Sequence, residues 1–122
     1  MAFEIDKLTI SLPTAADLSG SQYCAVTVDS NGNAVLPKAG GVAIGILQNN
    51  PKADQTASVR VEGVSYMVAS AAITAGQLVT VDATGKAAPA STGNYVLGVA
   101  LDTVAAAGEQ ISVLLKPIGA SA

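Results

Sequence analysis

Histidine is absent from these 122 residues, and so is tryptophan. Without histidine the chain lacks the commonest general base, the commonest neutral metal ligand and every His-dependent nucleophilic triad. One cysteine, Cys24, excludes an internal disulfide. Aromatic residues make up 3% of the chain and comprise only Phe3, Tyr23, Tyr66 and Tyr95, so the core must be built from Val, Ile, Leu and Ala. Charged residues make up 12%, about half of the roughly 25% usual in soluble proteins. Such a chain covers its surface with Ser, Thr, Asn and Gln, or buries part of it against other chains. No apolar run reaches the ~18 residues of a membrane-spanning helix, so no membrane partner is expected. The net charge is −3 and the six basic residues are scattered, which argues against a nucleic-acid partner. Glu4, Asp6 and Lys7 stand where a signal peptide needs apolar residues, which predicts synthesis in the cytoplasm.

What the chain does have is a repeat. Val26-Thr27-Val28-Asp29-Ser30-Asn31-Gly32-Asn33-Ala34 recurs as Val79-Thr80-Val81-Asp82-Ala83-Thr84-Gly85-Lys86-Ala87, an offset of 53 residues. The same offset carries Gly40 onto Gly93 and Gly45 onto Gly98, and over positions 26–46 eight pairs are identical without a gap. Strand and turn chemistry repeats here, with no catalytic side chain in it. Asn31-Gly32 and its counterpart suit the positive φ of tight turns.

Period-two alternation and turn residues predict an all-β fold, a small barrel or sandwich of about ten short strands with an internal 53-residue duplication. Residues 23–122 read as one β domain, with pseudo-repeats over 23–68 and 76–116. Residues 1–22 stand outside the repeat. Phe3 and Ile5 alternate with polar residues, and so do Leu8, Ile10 and Leu12, until Pro13 stops the pattern. This segment reads either as a strand of the barrel or as an extended N-terminal arm reaching a partner. Thr14–Asp17 has the chemistry of a helix cap. Ala69–Ala75 and Asp102–Ala107 are candidates for one or two short helical turns. Thr56–Glu62 and Val64–Val68 read as two strands separated by Gly63, and the tail, Pro117–Ala122, is expected to fray.

Several residues invite a chemical reading and resist it. Cys24 is a potential nucleophile, but nothing nearby in sequence activates it, and a small buried hydrophobe is the better reading. Asp29 and Asp82 occupy equivalent turns, each with a glycine three residues on (Gly32, Gly85). That spacing fits a carboxylate bonding its own turn better than a metal or acid–base pair. Lys86 would bring positive charge to a metal at the second turn. Gly85-Lys86 is no phosphate loop, because Thr80 stands where a glycine is needed and Ala87 where Ser or Thr is needed. Gly45 and Gly98, inside apolar strands, signal close backbone packing. No catalytic residue, cofactor or metal site is expected, and the chain does not read as an enzyme.

The ordered set Val59-Arg60-Val61-Glu62-Gly63-Val64, Ile73-Thr74-Ala75-Gly76, Gly85-Lys86-Ala87, Gly93-Asn94-Tyr95-Val96-Leu97-Gly98-Val99-Ala100-Leu101 and Ile111-Ser112-Val113-Leu114-Leu115 resembles the capsid cement, or head decoration, proteins of tailed bacteriophages. The resemblance is closest over residues 57–116 and looser over 22–50. It implies a β-rich protein of the virion, on the outer capsid surface, assembled as a homotrimer. The implied partner is the major capsid protein, whose subunits it would bridge after the shell expands. An arm carrying Phe3, Ile5, Leu8, Ile10 and Leu12 would suit strand addition to a capsid sheet edge. The alternative is a tail or surface-fibre module recognising protein or glycan, which would need clustered aromatics that the sequence spreads apart.

Overall fold

Alternating residues build the strands, and Gly, Pro and Asn-Gly turns end them. In the computed structural model, which describes residues 2–120, Ile5–Leu12 forms β1, and Pro13 ends it. Ala25–Val28 (β2) and Ala34–Val35 (β3) make a hairpin closed by Asp29–Asn33, where Gly32 takes φ 81°. Gly45–Leu47 (β4) is buried throughout. Ala57–Val68 (β5) is a single strand of 12 residues. The two strands expected here are continuous, because Gly63 at φ 111° has no side chain to collide with the Ile5 carbonyl passing beside it. Leu78–Val81 (β6) and Ala87–Pro89 (β7) form a second hairpin, followed by Tyr95–Ala100 (β8) and Gln110–Ala120 (β9). Residues 117–120 do not fray but extend β9 along β8, with Tyr95 opposite Ala120. Residues 121–122 lie outside the described residues.

The expected helical turns are absent among the described residues. Several of their backbone groups are taken by residues distant in sequence. The Ala69 N–H donates to the Glu109 carbonyl (2.8 Å), Ser70 N–H to Ala87 (2.8 Å), and Ile73 and Val104 exchange N–H···O bonds with each other (3.1 and 2.9 Å). Alanine's helix propensity, a few tenths of a kcal/mol per residue, does not outweigh these hydrogen bonds to residues distant in the same chain. Thr14 likewise caps no helix: its buried hydroxyl donates to the Lys52 and Gln55 carbonyls.

The nine strands of the described residues belong to one antiparallel sheet curled into a half-barrel, ordered β3-β2-β4-β5-β9-β8-β6-β7, with β1 pairing β5 off that path. Corresponding strands share their pairing. Ala25 faces Ile46 and Val26 faces Gly45; 53 residues on, Leu78 faces Val99 and Val79 faces Gly98. The hairpins repeat the rule: Thr27–Val35 and Val28–Ala34, then Thr80–Ala88 and Val81–Ala87. Each half therefore runs first strand, hairpin, third element, last strand. The first strand pairs the last in each, β1 with β5 and then the far end of β5 with β9. The segment expected as an arm thus lies as a strand of the folded body, in the position that the far end of β5 holds in the second half. The chain after it is fastened too, with Thr14 and Leu18 each 4% exposed.

Two apolar clusters fill the fold. The larger joins both halves, from Ala25, Ala43 and Ile46 to Met67, Val81, Leu97 and Ile111. The smaller belongs to the first half, with Leu18, Val26, Leu47 and Val59 at its centre and Ile10 and Leu12 packed on it. Its members are aliphatic, as the shortage of aromatics required.

Candidate functional site

The five apolar residues singled out on the N-terminal segment divide into two groups. Phe3 (43% exposed), Ile5 (58%) and Leu8 (45%) face solvent. Ile10 and Leu12 pack against the smaller cluster. The alternation breaks just before this division: apolar positions are odd up to Ile5 and even from Leu8, and Leu8, though in phase with Ile10 and Leu12, stays exposed. At that break the β1–β5 register slips, leaving Lys7 unpaired on β1 and Val61 on β5. A bulge of this kind re-aims side chains. An open cleft of about 480 Å³ lies beside it, between Lys7, Val61, Glu62, Leu114 and Lys116.

The exposed end of the strand is held by polar ties. Arg60, whose side chain is 12% exposed, donates from Nη1 to Glu4 Oε2 (2.9 Å) and to the Val64 carbonyl (3.0 Å). Its Nε lies 3.4 Å from Asp6 Oδ1 without hydrogen-bond geometry. The buried Ser112 hydroxyl donates to the Phe3 carbonyl (2.6 Å) and accepts from the Phe3 N–H. Lys7 and Glu62 make a longer, exposed pair at 3.8 Å. Sequence reasoning missed Arg60. The visible signal is a lone arginine in a strand, with two acidic residues on an otherwise alternating segment. β1 is eight residues long, and β5 is its one strand partner among the described residues. Its other edge therefore presents free backbone groups, the arrangement that accepts an added strand.

The turn residues are occupied locally. Asp29 Oδ1 accepts from the Asn31 and Asn33 N–H groups (both 2.9 Å), and these bonds, Asn33 first, hold its carboxyl below the ordinary value. Asp82 Oδ1 accepts from the Thr84 and Lys86 N–H groups (both 2.9 Å). Burial pulls Asp82 upward, and hydrogen bonds from Thr84 and Lys86 outweigh it, so the net shift is downward. No group of three or more His, Cys, Asp or Glu gathers at one point among the described residues. Cys24 is buried, and burial pushes its thiol up. Gly45 and Gly98 lie against the backbones of Arg60 and Leu114, each on the neighbouring strand rather than on one another. Two of the aromatics that the sequence separates do meet: Tyr23, at φ 64°, packs edge-on against Tyr66 with ring centroids 5.5 Å apart.

These features define a small all-β protein with one long exposed edge strand, pinned by ion pairs to a curled half-barrel sheet. The phage cement protein family matches residues 4–115, and the chain belongs to that family. It is a cement protein of a phage capsid and a component of the virion. Among solved structures the fold is similar to the head fiber gp8.5 N base of bacteriophage phi29, with a TM-score of 0.69 at 12% identity, covering 89% of this chain and 93% of that one. At that identity the likeness speaks for the fold. No curated protein sequence matches.

Proposed function

We propose that this cement protein sits on the outer surface of the expanded head and stabilises the shell by bridging neighbouring major capsid subunits, as a homotrimer and without a catalytic step. The observation that carries the reading is β1 and the residues leading into it: a long edge strand with a free side, exposed Ile5 and Leu8 on it, and exposed Phe3 just before it. An edge of this kind adds a strand from a partner sheet through main-chain bonds, while the apolar side chains fill pockets. Many copies of a modest contact then resist internal pressure together. The aspartate turns fit a structural part, since their carboxylates are engaged by their own backbones.

Co-sedimentation with expanded heads stripped of this protein tests the proposal. Removing residues 1–12 outright would strip Ile10 and Leu12 from the smaller cluster. The informative variant is Phe3→Ser/Ile5→Ser/Leu8→Ser, which leaves the packed residues in place. Wild-type protein is expected to saturate the heads and raise their resistance to heat. The triple variant is expected to stay folded and lose at least tenfold in affinity. Undiminished binding by the triple variant would remove β1 from the account.

A further inference from the structure

The two halves touch each other through a contact that is made in one direction only. The tip of the second hairpin docks on the first half. The Ala25 N–H donates to the Gly85 carbonyl (2.7 Å), the Gly40 N–H donates to the Val81 carbonyl (2.8 Å), and the Tyr95 N–H donates to the Gly40 carbonyl (3.0 Å). Shifted by the 53-residue offset, the mirror contact would join Leu78 to Gly32, Gly93 to Val28 and Val42 to Gly93. None of these bonds forms within the chain among the described residues.

Burial follows the same asymmetry. Val81 is 2% exposed, and its counterpart Val28 is 41% exposed. Ala25 is fully buried, and its counterpart Leu78 is 40% exposed. Gly85 is wedged against the Ala25 backbone, whereas Gly32 and Gly93 have nothing within 4 Å of an added Cβ. Val42, the third mirror position, is 58% exposed. The chain thus displays an unused hairpin tip around Val28–Gly32 and an unused receiving surface around Leu78 and Gly93. The two retain the hairpin and strand registers of a pair already joined inside the molecule.

We infer that the free tip of one copy docks on the free receiving surface of a second copy, repeating between chains the contact that joins the halves within one. The geometry names a second copy of this chain as the occupant, because both complementary parts are on it and they do not meet within it. A contact between different patches is heterologous, and it closes into a ring or continues as a filament. The inference deepens the self-assembly part of the function proposed above. It is measured on protein free of capsids, so its failure leaves head binding standing.

The test uses Val28→Glu and Leu78→Glu, one on each side of the contact and both at exposed positions. Mass by light scattering and sedimentation, with circular dichroism to verify folding, gives the readout. Wild type is expected to be oligomeric and each variant monomeric, with self-affinity weakened at least a hundredfold. An equimolar mixture of the two variants is expected to form a 1:1 heterodimer. One intact tip (Leu78→Glu) and one intact receiver (Val28→Glu) remain, and they can make one contact and no more. If a charged variant fails to fold, Val28→Thr and Leu78→Thr take its place with the same expectations at smaller amplitude. A monomeric wild type, variants of undiminished mass, or a mixture that stays monomeric would each overturn the inference.

Discussion

A methyl group on Gly98 would overlap the carbonyl oxygen of Leu114 on the facing strand and touch Val113 Cγ1 at 3.0 Å. Gly45 stands in the same relation to Arg60, with Val59 Cγ1 at 2.8 Å. The obstacle is backbone in both cases, so it cannot swing aside as a flexible side chain would. Gly98→Ala and Gly45→Ala are each expected to cost about 3 kcal/mol, the upper end of overpacking penalties. For a domain of this size that lowers Tm by roughly 12 °C. Gly76→Ala is the control, since Gly76 has φ 92° but open space around it. Only conformational strain applies there, about 1 kcal/mol. Thermal unfolding of the three variants decides the matter. Losses at Gly98 and Gly45 no larger than at Gly76 would show that the facing strands give way and that close approach does not govern these two positions.

Much of this architecture was legible because turns and alternation are local. Asp29 and Asp82 each accept from the N–H groups two and four residues on in their own turns. The two hairpins pair at positions 53 residues apart. The parts that were not legible depend on distant partners. Ala69–Ala75 has helical composition, but Glu109, Ala87 and Val104 supply partners that no local window reveals. Gly63 reads as a break until β1 is seen to cross it. The N-terminal segment reads equally as strand or arm, because its docking depends on Arg60 and Ser112, far away in sequence. The exposed end of the candidate surface was partly visible. The phase change between Ile5 and Leu8 marks where the bulge falls, but not which side of it is buried.

Acid should weaken the fold through the two turn aspartates. Both carboxyls lie below their ordinary value, which is close to their value in the unfolded chain. A lowered folded pKa means stability that is fully present above about pH 4 and lost as pH falls through the folded value. Asp82→Ala is expected to cost on the order of 1 kcal/mol at pH 7, since two backbone N–H groups lose a charged acceptor. The same variant should flatten the loss of stability below pH 4. Asp29→Ala should act in the same direction and less, because among the described residues its turn packs against no other element of the chain while the Asp82 turn docks on Ala25. Urea unfolding between pH 2 and pH 7 measures both effects. An Asp82→Ala variant as acid-sensitive as wild type would sink this account.

Cys24 is expected to be inert in the folded protein. It is 4% exposed, and burial raises its thiol above the ordinary value, so the reactive thiolate is scarce at neutral pH. A thiol reagent at pH 8 should label native protein at least a hundredfold more slowly than protein in denaturant, where one thiol per chain reacts at once. Rapid labelling of native protein would show that the start of β2 opens readily. Cys24→Ala should leave head binding and self-association unchanged, with a loss of about 1 kcal/mol from the missing sulfur.

The exposed end of β1 should come loose before the rest of the fold. Its side chains from Ile5 to Thr9 are all exposed, so little apolar burial holds it there. The ladder with β5 is supplemented by the Arg60–Glu4 pair, the Ser112 ties to Phe3, a longer Tyr66 N–H bond to Glu4 (3.4 Å), and the more exposed contacts of Asp6 with Arg60 and of Lys7 with Glu62. The Arg60–Glu4 pair is mostly shielded from solvent, and its loss is worth about 1 kcal/mol once screening is allowed for. Glu4→Gln should therefore speed amide exchange across Ile5–Asp6 by about fivefold, with β9 unaffected. High salt should produce a smaller effect of the same sign. Ser112→Ala, which cuts both ties to Phe3, should add to it. Hydrogen exchange resolved by residue gives the answer. Unchanged protection in Glu4→Gln would mean that the backbone ladder alone holds the strand. Acceleration spread evenly over β1 and β9 would mean that the pair supports the whole fold and not one strand.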